Sequence, residues 1–154
     1  MSSLLLKGGR LIDPVNGLDE TADLLLADGK VAVIGTDAPA QAPDGTNEVD
    51  AAGKVVCPGF VDLHTHTPTD LGAYLAARSG ITTALELEAG AYPTGVYGLD
   101  QVGRSPIHFG ASAGHFAVRA MVVEGAYEPC MVHSGRTFRA GTAFVVPGTG
   151  EQLA

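Results

Sequence analysis

Two histidines one residue apart, His64 and His66, lie near the end of "KVVCPGFVDLHTHTPTD", residues 54–70, where an apolar run entered through Pro58-Gly59 gives way to polar residues. Imidazole nitrogen suits zinc and other divalent transition metals. On a strand, side chains at i and i+2 share a face, so the pair projects together with Asp62 below it, and both rings can converge on one ion. A catalytic centre asks for about three protein ligands with one position left for water, which two histidines do not supply. The competing reading of the pair alone is two surface or hydrogen-bonded histidines at a strand end.

Further donors come from "ITTALELEAGAYP", where Glu86 and Glu88 share a face by the same alternation, Glu86 deeper and Glu88 nearer the strand's C-terminal mouth. Glu88 is therefore the candidate third ligand or substrate contact. The alternative is a carboxylate satisfied by hydrogen bonds inside the fold, since two carboxylates in an apolar, β-branched strand are costly to bury without partners. His115, at the end of a third strand-like run, is a candidate substrate contact or, following Ser112-Ala113-Gly114, the cap of a helix start. His108 stands at that run's beginning and His133 in a polar stretch, and both rank lower. Arg136 and Arg139 in "SGRTFRAG" have the planar fork that meets a carboxylate in bidentate fashion, although such arginines more often form surface pairs.

The elements that must carry these residues fall into two textures. Up to about residue 55 the chain reads as short strands: "LLLKGGRLIDP" and "ADLLLADGKVAVIG" are apolar runs, and Asp28-Gly29 marks a tight hairpin turn. A loop, "TDAPAQAPDGTNE", leads to another short strand pair around Ala52-Gly53. After Pro58-Gly59, strand-like runs alternate with helical ones, the pattern of parallel βα units. "GFVDLHTH" is the first strand and "DLGAYLAARSG" a helix, with Leu71, Tyr74, Leu75 and Arg78 at helical spacing and Gly80 as its stop. "ITTALELEAG" is the second strand, "PIHFGASAGH" the third, and "FAVRAMVVEG" a short helix or that strand's extension. The last residues, "TGEQLA", resemble a helix N-terminus capped by Thr149 with no helix body, which predicts a truncated chain.

Of the 154 residues 45% are hydrophobic and 17% charged, the balance of a folded chain. A net charge of −8 without any Lys/Arg run argues against nucleic acid as a partner. No apolar run approaches the ~18 residues of a membrane span, and the start of the chain is too short in apolar residues for a secretory signal. Cys57 and Cys130 lie far apart in no metal-type spacing, as ordinary buried thiols of a reducing compartment would. The expected location is the cytoplasm.

"CPGFVDLHTH" resembles the first-strand signature of the amidohydrolase superfamily, and "DLLLADGKVAVIG" resembles the β-sandwich hairpin that accompanies it in the hydantoinase, dihydroorotase and D-aminoacylase branches. "SGITTALELEAGAYP" is similar to the second barrel strand of the N-acyl-D-amino-acid deacylases. The resemblance covers most of residues 4–120 and implies an α/β fold: a small N-terminal β-sandwich segment over residues 1–57, then about the first three strands of a (β/α)8 barrel over residues 58–154. It implies one or two divalent ions, zinc first among them, with His64 and His66 as the strand-one ligands. Glu88 falls near the position of a cysteine in the D-aminoacylase branch.

The implied reaction is hydrolysis of a non-peptide C–N bond by metal-activated water, on an N-acyl-D-amino acid or, alternatively, a cyclic amide of the dihydroorotase and hydantoinase kind. In the family an aspartate from the last strand carries the proton, and two more histidines come from strands five and six. A closed barrel takes eight strands and about 250 residues, so the 154 residues alone are expected to be inactive. The other expectation is a non-catalytic product that binds metal weakly at most. Exposed apolar faces and an open sheet edge would favour oligomers or pairing with a complementary chain. The expected small-molecule partner is an amide, with no membrane contact.

Overall fold

A computed structural model of the protein describes residues 3–66 and 69–125. The chain divides into two compact units, the first ending at Pro58 and the second beginning at Gly59. It is a mixed α/β structure in which each unit has its own sheet.

The first unit contains β1 (Leu4–Asp13), β2 (Leu18–Ala27), β3 (Lys30–Ile34), a one-turn helix α1 (Ala38–Gln41), β4 (Asn47–Asp50) and β5 (Val55–Val56). The sheet runs β3-β2-β1-β4, with β5 also on β1. β1 and β2 are antiparallel with Leu5 opposite Leu25, and these two side chains close with Ala38 into a buried cluster flanked by Val33 and Ala42. The β2–β3 connection is the tight turn that its Asp-Gly pair predicts: Asp28 (φ 52) and Gly29 (φ 72) both sit in the left-handed region that such turns require. β4 and β5 do not pair with each other. Both run parallel to β1, at Leu4–Lys7 and at Arg10–Leu11, so the strand pair expected around Ala52-Gly53 is one edge interrupted by a turn. Cys57, expected to be buried, is exposed just after β5.

The second unit contains β6 (Phe60–Asp62), α2 (Asp70–Arg78), β7 (Ile81–Ala91), two 3-10 turns (Thr94–Val96 and Leu99–Gln101), β8 (His108–Ala113) and α3 (His115–Glu124). Its three strands are parallel in the order β6-β7-β8, so all three strand C-termini lie at one end. α2 starts at Thr69, whose Oγ1 accepts the Gly72 N–H at 2.9 Å, with Asp70 in the first turn favoured by the helix dipole. The helical spacing of Leu71, Tyr74 and Leu75 does not mark the buried face. All three are exposed, and Ala73 is the buried residue of the helix, because a small side chain lets the helix backbone come close to the sheet. Among the described residues no helix is long and apolar enough to cross a membrane.

Candidate metal centre

β6 ends at Asp62, before the histidines, so His64 and His66 are not on regular strand as their alternation implied. Asp62 Oδ1 accepts the His64 N–H at 3.0 Å and turns the chain. His64 then makes a single antiparallel bridge to Glu86 of β7, although β6 and β7 themselves are parallel. The two rings still converge: their Nε2 atoms are 3.2 Å apart, with ring centroids at 5.0 Å and an interplanar angle of 78°.

The carboxylates come from β7, and an irregularity in that strand separates their roles. Glu86 pairs with Ala111 of β8 while Ala91 pairs with Ala113, so residues 87–90 bulge from the ladder. Gly90 makes the bulge possible. Its φ is 68, and a Cβ there would stand 2.6 Å from the Ala113 carbonyl oxygen. Ser112 Oγ holds the near end of the bulge by donating to the Leu87 carbonyl at 3.2 Å.

On the two sides of this bulge the carboxylates meet different surroundings. Glu86 is 0% exposed. Its Oε2 lies 2.6 Å from His66 Nδ1, and its Oε1 accepts the Ala89 N–H at 3.1 Å. Glu88 is exposed, and its Oε2 stands 3.6 Å from His66 Nε2 and 3.8 Å from His64 Nε2. Burial first, and the Glu86 carboxylate second, push the nearby Tyr97 phenol up to about 12.

One ligand atom from each of His64, His66 and Glu88 lies within 4.8 Å of the other two. The donor triangle has edges of 3.2, 3.6 and 3.8 Å. Tetrahedral zinc with ligands at about 2.0–2.1 Å needs donors about 3.4 Å apart, so two imidazoles and a carboxylate fit such an ion with small side-chain adjustments. Proton placement is consistent with this. With Nδ1–H of His66 donated to Glu86, the lone pair of Nε2 points toward the other donors, the arrangement in which a carboxylate orients a ligating histidine.

His115 is the first residue of α3, not the end of a strand, since β8 stops at Ala113 and Gly114 lies between them. Its ring packs edge-on against Phe116, and it does not belong to the three-ligand group. His108 opens β8, at the opposite end of the strand from that group. His133, Arg136, Arg139 and Cys130 lie outside the described residues. The contact that residue spacing did not reveal is Glu86–His66. The available signal was a carboxylate in an apolar strand, which must find partners if it is buried.

No family model matches the chain. Over 64 residues it is 48% identical to a dihydroorotase of Citrifermentans bemidjiense, a match covering 42% of the chain and 15% of that relative. Over 91 residues it is 38% identical to a dihydroorotase of Streptococcus pneumoniae, covering 53% of the chain and 21% of that relative. Among solved structures, N-acyl-D-glutamate deacylase of Bordetella bronchiseptica, determined with zinc and a phosphonate inhibitor that mimics the tetrahedral intermediate, aligns with 75% of the chain and 30% of its own. The TM-score is 0.58 at 26% identity.

Proposed function

The chain belongs to the amidohydrolase superfamily, matching the N-terminal region of its members, and from this premise we propose that it carries the first ligands of a zinc-dependent hydrolase acting on a non-peptide C–N bond. In this reading residues 1–57 are part of a small β-sandwich and residues 58–154 the opening of a (β/α)8 barrel. The site then lies at the strand C-termini, where such barrels place their chemistry. The observation that carries the reading is the convergence of His64, His66 and Glu88 from two neighbouring strand ends.

His64 and His66 would hold the ion through Nε2, and Glu88 through a carboxylate oxygen. The bound ion supplies Lewis acidity for a carbonyl oxygen and lowers the pKa of a water. Glu86 holds the second imidazole in place. Glu88 is exposed, so its carboxylate can also accept a hydrogen bond from a substrate N–H. His115, near the C-terminal end of β8, is a further candidate for contact with substrate.

Two substrate classes have support. N-acyl-D-amino acids follow from the Bordetella bronchiseptica deacylase, and cyclic amides from the two dihydroorotases, whose identity to this chain is higher. The test is a zinc titration of the purified chain followed by hydrolysis assays with N-acetyl-D-glutamate and with dihydroorotate. One zinc per chain, lost in His64→Ala, is the expected result; cleavage of either substrate, lost in the same variant, would select the class. A wild-type chain with no stoichiometric zinc would refute the metal reading.

A further inference from the structure

The donor triangle draws its ligands from two segments, neither of which is held by regular strand pairing. His66 lies beyond the end of β6, and Glu88 sits in the β7 bulge. Glu86 is bonded to both. Its Oε2 meets His66 Nδ1 at 2.6 Å, and its Oε1 accepts the N–H of Ala89, the residue next to Glu88, at 3.1 Å. The Glu86 backbone is in addition the bridge partner of His64.

We propose that Glu86 is the positioning residue of this centre: its buried carboxylate keeps the proton of His66 on Nδ1, so that Nε2 faces His64 and Glu88, and it clamps the bulge that presents Glu88. The inference rests on the metal-site reading above. A neutral imidazole has one N–H and one lone pair, and the hydrogen bond made at one nitrogen decides which the other offers. A carboxylate accepts and cannot donate, so at 2.6 Å it selects Nδ1–H. A glutamine of the same shape presents either a carbonyl or an NH2, and with the NH2 toward Nδ1 it selects the opposite tautomer, whose Nε2–H blocks a metal.

The alternative role is structural only, a carboxylate whose hydrogen bonds merely satisfy its burial. Ring 15N NMR separates the two. In the metal-free chain, above the pH range where histidines titrate, long-range 1H–15N spectra should show His66 as the Nδ1–H form, and Glu86→Gln should populate the Nε2–H form. In that variant the affinity for zinc should fall roughly 10–100-fold, the effect typical of a lost outer-shell partner, while the backbone amide spectrum keeps its dispersion. His66 found as Nε2–H in the wild type overturns the proposal, and so does zinc affinity within twofold of wild type in a folded Glu86→Gln chain. Should that variant not fold, the wild-type tautomer still decides. A wild type that takes up no zinc overturns the hydrolase reading instead, and the tautomer measurement continues to test Glu86.

Discussion

Gly90→Ala should damage both the stability of the second unit and the proposed metal site, and the size of the damage can be worked from two separate costs. The first is conformational: an L-residue at φ 68 pays about 1–2 kcal/mol. The second is steric. The new methyl would stand 2.6 Å from the Ala113 carbonyl oxygen, 2.7 Å from its carbon and 2.8 Å from Ser112 Oγ. Two of these atoms are backbone and cannot rotate away, so β7 and β8 must separate there.

That separation threatens the 2.8 Å bond from Gly114 N–H to the Ala91 carbonyl and the Ser112 bond to Leu87, at about 0.5–1.5 kcal/mol each. The sum is about 2–5 kcal/mol. Gly103→Ala is the control, because Gly103 has φ 75 and nothing within 4 Å of a Cβ, and so pays only the conformational part. Urea unfolding followed by tyrosine fluorescence reads the second unit alone, since Tyr74, Tyr92, Tyr97 and Tyr127 all lie after Gly59 and the chain has no tryptophan. Gly90→Ala should lose at least about 1 kcal/mol more than Gly103→Ala and should also weaken zinc binding, because Glu88 rides on the bulge. Equal losses in the two variants would show that the close approach of Gly90 to Ala113 does not hold the bulge, and the reasoning would fail.

Glu88→Ala removes a proposed ligand, so its zinc affinity should drop by more than the roughly 100-fold upper range for outer-shell partners; a competition titration against a chelating dye that ranks it above Glu86→Gln would contradict this. Thr69→Ala leaves the Gly72 N–H without its cap and should cost about 1 kcal/mol in urea unfolding, while Thr69→Ser should be near neutral. The Tyr97 phenol, pushed up to about 12, binds its proton more tightly in the folded chain than in the unfolded one, where tyrosine titrates near 10. Its contribution is therefore complete below pH 10 and disappears as pH rises from 10 through 12, a loss of about 1–2 kcal/mol after allowing for partial exposure. Tyr97→Phe should flatten that part of the pH–stability curve, and a wild-type curve already flat from pH 10 to 12 would refute the assignment.

Local chemistry was legible in the residues themselves. Asp28-Gly29 dictates its turn because few residue pairs tolerate two left-handed positions, and Thr69 with Asp70 marks a helix start because the first backbone N–H groups need acceptors. Parallel βα texture after Pro58 and the paired imidazoles followed from alternation and residue type in the same way. Which face α2 buries was not legible, because helical spacing names a stripe but not its neighbour, and the sheet accepts Ala73 while Leu71, Tyr74 and Leu75 stay exposed. Nor was the geometry of the centre. Alternation put His64 and His66 on a strand and both glutamates on one face, whereas the chain turns at Asp62 and β7 bulges after Glu86. The turn at Asp62 is a local contact, but the bulge and the meeting of the two segments depend on residues twenty or more positions apart, such as His66 with Glu86 and Gly90 with Ala113. Sequence determined that two imidazoles and two carboxylates were available and, by alternation, that Glu86 lies deeper than Glu88; tertiary structure alone decided that Glu86 is fully buried against His66 while Glu88 stays exposed beside both imidazoles, since burial depends on what the neighbouring strand brings across.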